Sequence, residues 1–351
     1  MTPFRSHHLI QFLETYEGAI DFALSQYFRR HKAIGSKDRV AISEALYFMI
    51  RWQRAIDSQI SNPITWKKRV EAISNFNKED WIKRNDIKEA LKASFPDELF
   101  QVLKNTFGSK AFEVALTLNE AAPTFIRVNP LKSTVEEMIE ILKPFDPQKG
   151  NAPHSIKLKK RGTFFQLDAF KAGKFEMQDE ASQEVALKVK AKPGDRVLDF
   201  CSGSGGKTLA FAPQLEGQGQ IYLHDIRKGV LFEAKKRLKR AGIQNAQIIH
   251  LSEETKLKKL KGFFDWVLVD APCSGSGTYR RNPDMKEKFT LESLNNLVAT
   301  QKAIFAEALA YLKPKGTIVY ATCSLFNEEN QDQVEYFIKT HNLQRVEDDF
   351  Q

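Results

Sequence analysis

Cysteine is scarce in this 351-residue chain: there are three, and no two are closely spaced. That excludes a disulfide framework and a CxxC zinc site, and no metal centre is expected. It points instead to a reducing, cytoplasmic setting in which thiols stay available for chemistry. No run of about 18 apolar residues occurs, so nothing reads as a membrane span. The first residues, MTPFRSHHLIQF, lack the uninterrupted apolar stretch of a secretory signal. Internal repeats, coiled-coil heptads and low-complexity segments are missing as well. The apolar fraction of 42% is near the globular average, and the length suits two or three domains. Nothing in the sequence demands an oligomer, and a monomer is expected.

What the chain has is positive charge. The net value is +9 and the isoelectric point is near 9.2. The basic residues cluster: Lys157, Lys159, Lys160 and Arg161 form one group, Lys235, Lys236, Arg237, Lys239 and Arg240 a second, and Arg280 with Arg281 a third. Phosphate contacts need such local density, because their energy comes from counterion release. Nucleic acid is the expected partner.

Three regions are expected. Residues 1–120 read as helical, with apolar positions at three- and four-residue spacing such as Ile42, Ala45, Leu46, Met49 and Ile50. Ser36 is a candidate cap for the helix that follows Lys37, and Pro63 and Pro96 punctuate the run. Residues 121–180 read as a small α/β module. TFIRVN (124–129) and HSIKLKK (154–160) alternate like strands, STVEEMIEILK (133–143) is an amphipathic helix, and Pro144, Pro147 and Gly150 mark an internal loop. Residues 181–351 alternate between short apolar strands (196–200, 220–225, 246–250, 266–270, 316–322) and helical patterns, among them 227–242 and 291–313. Apolar strands alternating with helices predict a parallel sheet covered on both faces, a doubly wound Rossmann-like fold. Ligands of such folds sit beyond the carboxyl ends of the strands.

The chemistry-bearing residues fall at those ends. After the first strand comes DFCSGSGGKT (199–208). Its glycines, Gly203, Gly205 and Gly206, allow a tight turn and close backbone approach, with a helix N-terminus expected behind them. The second strand ends in Asp225, a carboxylate suited to both hydroxyls of a ribose. Together they suggest a site for an adenosine-containing cofactor. GGKT also resembles a P-loop, with Lys207 on phosphates and Asp270 on magnesium, but the position needing glycine holds Cys201 and Asp225 would have no task. The fourth strand runs into DAPCSGSG (270–277) and the fifth into ATCS (321–324), so all three cysteines follow strand ends. Cys201 reads as structural within the cofactor loop. Cys273 and Cys323, with Asp270 nearby, read as reactive.

That set fits one reaction. Carbon 5 of cytosine is a poor nucleophile until a thiolate adds to carbon 6. A base must later remove the carbon-5 proton so that the thiol can leave. A thiolate, a carboxyl group on the pyrimidine edge and a second acid or base are required, and two cysteines and Asp270 supply them. A thiol with pKa about 8.5 is mostly protonated at neutral pH. Lowering it by ~1.5 units amounts to roughly 2 kcal/mol of added preference for the thiolate, which Lys207 or a bound sulfonium could supply. The target base must also leave any stack to be reached. Nitrogen methylation needs no nucleophile and favours an NPPY-type strand end, which this chain lacks.

DFCSGSGGKT (199–208), DAPCSGSG (270–277), RRNPD (280–284) and ATCS (321–324) resemble the RsmB/Nop/Sun RNA cytosine-5 methyltransferases. RVNPLK (127–132) and MQDEAS (177–182) are similar to that family's upstream motifs. The likeness covers roughly residues 95–351. It implies S-adenosylmethionine as cofactor, Cys323 as the nucleophile, Cys273 as the release residue, Asp270 on the pyrimidine edge and Lys207 against cofactor or base. The cofactor set becomes Cys201, Ser202, Gly203, Ser204, Gly205, Gly206, Lys207, Asp225, Ser252 and Asp270. The 121–180 module resembles the family's RNA-binding extension, with Arg127, Asn129, Arg280 and Arg281 as candidate RNA contacts. SKDRVAISEALYFMIR (36–51) is similar to the NusB-like helical domain of bacterial members that methylate small-subunit ribosomal RNA, which makes ribosomal RNA the expected substrate ahead of transfer RNA.

Departures from the pattern are specific. Ser202 and Ser204 replace a small residue and a proline of the usual loop, and Val230 stands where an arginine near the ribose is usual. No acidic residue clearly follows the third strand; Ser252 and Glu253 are nearest. The chain stops at Gln351, before the family's usual final strands, so an incomplete sheet edge is expected. Asn282 and Asp284 read as part of an active-site loop. Two other classes remain to be distinguished, a P-loop nucleotide hydrolase and a catalytically idle RNA-binding protein on a methyltransferase scaffold. A DNA cytosine methyltransferase would use Cys273 as nucleophile, and ATCS with RVNPLK argues against it.

Overall fold

The computed structural model describes residues 1–249 and 257–346. Its contacts divide the chain into two units. One comprises Met1–Ala122, Ser274–Asn296 and Cys323–Glu328; the other comprises Pro123–Cys273, Leu297–Thr322 and Glu329–Gln351. No helix among the described residues is long and apolar enough to cross a membrane.

The first unit is helical. Pro3–Thr15, Ile20–Arg30 and Ser36–Arg51 turn their apolar stripes onto one core, in which Leu9, Phe12, Ile42, Leu46 and Met49 are all but inaccessible. Ser36 is not the cap: it is the first helical residue, and Gly35 occupies the cap position without a side-chain bond. Pro96 stands at the position before the helix Asp97–Phe107, without a side-chain capping bond.

Among the described residues, the second unit carries two sheets. The smaller is antiparallel and runs in the order β2–β3–β1–β4, with β1 Thr124–Val128, β2 Pro147–Lys149, β3 Ser155–Leu158 and β4 Phe175–Met177. Residues 147–149 were expected in a loop. They form an edge strand instead, and Pro147 is tolerated as its first residue, where a missing N–H costs least. The helix Val135–Ile141 starts at a reciprocal capping box between Thr134 and Glu137 and packs Met138 against Ile126, Ile156 and Phe175.

The larger sheet is parallel throughout and runs β7–β6–β5–β8–β9, with β5 Arg196–Asp199, β6 Gln220–His224, β7 Ala246–Ile249, β8 Phe264–Asp270 and β9 Leu312–Ala321. This is the doubly wound arrangement read from the strand pattern. The strand order reverses between β5 and β8, which creates the crevice such sheets use for ligands. Asp199 ends β5 and Asp270 ends β8, on paired strands. The helix before β9 is Leu291–Leu309, shorter than the periodicity predicts. Leu312 and Lys313 belong to β9 because Pro314 pushes the residue before it into extended backbone.

Candidate active site

The loop after β5 is shaped by its glycines and tied down by its neighbours. Gly203 and Gly205 adopt φ of +51° and +75°, which favour glycine. A Cβ on Gly205 would stand 3.3 Å from Leu223 and 3.4 Å from Ala234, so the loop lies close against β6 and the helix Lys228–Ala241. The expected helix behind the loop is a single α-turn, Thr208–Phe211, continued as 3₁₀. Its dipole is correspondingly small, and fixed side chains set the loop's shape instead. Arg127 Nη1 and Gln178 Nε2 donate to the Gly206 carbonyl at 3.0 and 3.2 Å, and Arg127 also donates to Gln178. Arg237 donates to the Ser204 carbonyl at 3.0 Å and to its hydroxyl at 2.6 Å.

These bonds correct several sequence expectations. Arg127 and Asn129 are 4% and 6% exposed, too enclosed to contact RNA. Asn129 donates to the Gly173 and Ala241 carbonyls at 2.9 Å each, joining the small sheet to the end of the Lys228–Ala241 helix. Arg237 and Arg240, read as part of a phosphate-binding cluster, converge on the buried carboxylate of Glu176. Lys157, Lys159, Lys160 and Arg161 are exposed.

Three carboxylates follow strand ends of the parallel sheet. Asp225 lies just past β6, almost wholly enclosed. It accepts the Gly203 N–H at 2.9 Å and the Arg227 N–H at 2.9 Å, and the Arg227 guanidinium grips both oxygens at 3.0 Å. Burial opposes ionisation of Asp225, but the bonds from Arg227 and Gly203 outweigh it and hold the carboxyl below its ordinary value. Asp199 is different. Burial pushes it up to about 7, although the Thr208 hydroxyl donates to its Oδ2 at 2.6 Å. Asp270 is partly exposed and pairs with Lys207, Nζ to Oδ2, at 2.5 Å.

The cysteines divide into two kinds. Cys201 packs against the core, and burial pushes its thiol up to about 12, with Asp199, Asp225 and Asp270 adding to the effect. It remains protonated and is no nucleophile. Cys273 is half-buried and Cys323 exposed, both as thiols without a disulfide. Asp270 pairs with Ala321 in the β8–β9 register, so the chain leaves the two strands side by side, three residues before Cys273 and two before Cys323.

In the helical unit, the residues that follow Cys273 are stitched to those that follow Cys323. The Gly277 N–H donates to the Cys323 carbonyl at 2.9 Å. The Ser324 hydroxyl lies 3.2 Å from Ser274 Oγ and 3.1 Å from Ser276 Oγ, and Ser276 Oγ accepts the Leu325 N–H at 2.7 Å. Gly277 is required: a Cβ there would sit 2.7 Å from the Cys323 carbonyl oxygen.

The RRNPD segment is held by the helical core. Arg280 donates to the Ala121 carbonyl at 2.8 Å, and its own carbonyl accepts from Arg51 at 2.9 Å, so Arg280 is a tether within the protein. Arg281 and Asn282 are exposed, and Asp284 pairs with Lys288 at 2.6 Å. Lys286 went unnoticed in the sequence. It is fully buried, donates to the Arg51 and Ser94 carbonyls and to Asn119 Oδ1, and lies over the Phe95 ring at 4.4 Å. Burial pushes its ammonium down to about 7, Glu287 working the other way. Arg227 was missed too; only its place two residues after Asp225 hinted at it. Ser252 and Glu253 lie outside the described residues.

Residues 186–350 match the profile of the family described as 16S rRNA methyltransferase RsmB/F. The probable ribosomal RNA small subunit methyltransferase B of Bacillus subtilis is 31% identical over 314 residues, which are 87% of this chain and 68% of that protein. The probable ribosomal RNA small subunit methyltransferase B of Synechocystis is 31% identical over 260 residues, 72% of this chain. The chain spans 58% of that relative's length. Among solved structures, PH0851 superposes over 97% of this chain and 90% of its own with a TM-score of 0.83; at 24% identity this speaks to fold alone. A methyltransferase homolog protein from Pyrococcus horikoshii covers 72% of this chain and 81% of its own at 27% identity, with a TM-score of 0.62.

Proposed function

The chain belongs to the RsmB/F family of 16S rRNA methyltransferases, and on that premise we propose that it methylates carbon 5 of a cytosine in ribosomal RNA through a covalent cysteine adduct. The observation that carries the reading is the stitch of Gly277 and Ser276 to Cys323 and Ser324, which knits together the two turns that bear the candidate cysteines.

S-adenosylmethionine is the family's cofactor and supplies an electrophilic methyl group when bound. The residues present fit it. A glycine turn at positive φ follows β5, and an ionised, enclosed carboxylate follows β6, the pair a nucleoside ribose requires. Residues 201–207 would line the cofactor, with Ser202 to Gly206 as backbone cradle and Asp225 on the ribose hydroxyls. Asp225 would exchange its Arg227 contacts for them.

The chain's own groups divide the remaining work. The Cys323 thiolate adds to carbon 6, forming a carbon–sulfur bond and moving the ring electron pair to carbon 5, which would take the methyl as its bond to the cofactor's sulfonium sulfur breaks and that sulfur departs as a neutral thioether. Asp270 holds the exocyclic amine, and the Lys207 ammonium beside it keeps a proton within reach of ring nitrogen 3 as negative charge develops. Cys273 then removes the carbon-5 proton. The electrons left behind restore the ring double bond and expel the Cys323 sulfur.

Incubation with labelled S-adenosylmethionine and ribosomal RNA tests the reaction, and bisulfite mapping locates the product. Cys323→Ala is expected to abolish transfer. Cys273→Ala should accumulate an RNA adduct that survives denaturation. An adduct that depends on Cys273 in the wild type would reverse the two roles, and transfer that persists in Cys323→Ala would overturn the covalent mechanism.

A further inference from the structure

Behind the turn after β8 lies a buried polar cluster in which one amide is fully committed. Gln301, on the helix Leu291–Leu309, has no exposed surface. Its Nε2 donates to the Pro272 carbonyl at 3.0 Å and to Glu329 Oε1 at 2.9 Å. Its Oε1 faces the Tyr320 hydroxyl at 3.2 Å and accepts from Gln333 Nε2 at 2.8 Å. The orientation of the amide is fixed by chemistry, since the Pro272 carbonyl can only accept and Gln333 Nε2 can only donate. Both donors of Gln301 are used and its oxygen accepts from Gln333, an arrangement that specifies a single geometry.

Two turns meet this cluster. Pro272 immediately precedes Cys273, and its carbonyl has Gln301 as its side-chain donor. On the other side, Glu329 is also buried, its carbonyl faces the Tyr320 hydroxyl at 2.9 Å, and the next residue, Asn330, accepts from the Thr322 hydroxyl at 2.6 Å, one position before Cys323. The Gln301 bond fixes the Pro272 carbonyl, and with it the plane of the peptide through which the chain enters Cys273.

We propose that Gln301 is a positioning residue for the release step: by clamping the Pro272 carbonyl it aims the Cys273 sulfur at the carbon-5 proton. The inference rests on the reading of Cys273 as the release base. Gln301 touches neither substrate nor cofactor and acts only through the turn. A sulfur misaimed by about 1 Å is enough to slow a proton transfer strongly while the earlier addition step proceeds.

The test uses the full chain with labelled cofactor and ribosomal RNA. Gln301→Leu keeps the volume and removes both donors; Gln301→Met keeps the length of the side chain but offers Pro272 no proton. Either is expected to lower kcat at least tenfold, to leave KM for cofactor and RNA within about twofold, and to raise the fraction of denaturation-resistant RNA adduct above wild type. Gln333→Leu, which disturbs the same cluster but spares the Pro272 bond, should lose thermal stability with kcat within twofold. In a Cys273→Ala background, Gln301→Leu should add no further adduct. A fall in kcat without adduct, an undiminished kcat, additivity with Cys273→Ala, or loss of folded protein with both Gln301 variants would overturn the proposal. A wild type that transfers no methyl would instead sink the underlying reaction.

Discussion

At Asp199 the fold works against a charge. The carboxyl ionises near 3.8 in the unfolded chain and is held protonated to about 7 in the folded one. Between those values the folded state carries more protons, so this group's contribution to stability is greatest below about pH 4 and declines as pH rises through 7. Asp199→Asn keeps an oxygen for the Thr208 hydroxyl and cannot ionise. It is expected to raise the unfolding free energy at pH 8 by roughly 1–4 kcal/mol, with a much smaller gain at pH 5. Urea titrations at the two pH values measure the difference. A gain that does not change with pH would show that Asp199 does not titrate in this range. The same residue scale separates the cysteines along the line their positions suggest: burial silences the Cys201 thiol, whereas Cys273 is half-buried and Cys323 exposed.

Elements explain what the sequence could and could not disclose. The parallel sheet was legible because β5, β6 and β8 are short, largely apolar runs, each with an aspartate at its end or just past it, Asp199, Asp225 and Asp270. The edge strand β2 was not, since a three-residue strand opening on Pro147 has no periodicity to read. Nor could composition distinguish a lysine or arginine that meets phosphate from one that meets a carboxylate buried elsewhere in the chain. Arg237 and Arg240 meet Glu176, some sixty residues away. Arg127 illustrates the outcome. It pins the glycine loop to the small sheet through Gly206 and Gln178. Arg127→Met is therefore expected to destabilise the fold by about 2–4 kcal/mol and to weaken cofactor binding about tenfold. Calorimetric titration with S-adenosylmethionine and a salt series of RNA binding decide the matter. An unchanged cofactor affinity with a shallower salt slope would return Arg127 to the RNA surface.

For the whole molecule, the net charge of +9 includes cations that are buried, Arg127 and Lys286 among them, and so overstates what is open to a polyanion. Lys157, Lys159 and Lys160 remain exposed on and beside β3. Replacing all three with alanine should weaken RNA binding uniformly across sequences and reduce the slope of log K against log salt by about 2. Filter binding across a salt series checks this, and an unaltered slope would move the RNA track elsewhere. Methyl transfer at saturating RNA should be unaffected, because these lysines lie on the small antiparallel sheet, apart from the strand ends of the parallel one.

Lys286 has a consequence for how such a chain can be divided. Its ammonium takes its acceptors from Arg51, Ser94 and Asn119, while its backbone belongs to the stretch beginning at Ser274 that is sewn to Cys323. The amino-terminal bundle is thus no detachable cassette bolted onto a self-sufficient catalyst. An excised fragment beginning near Pro123 would leave a lysine without its socket, and the scaffolding beneath the RRNPD segment would be gone.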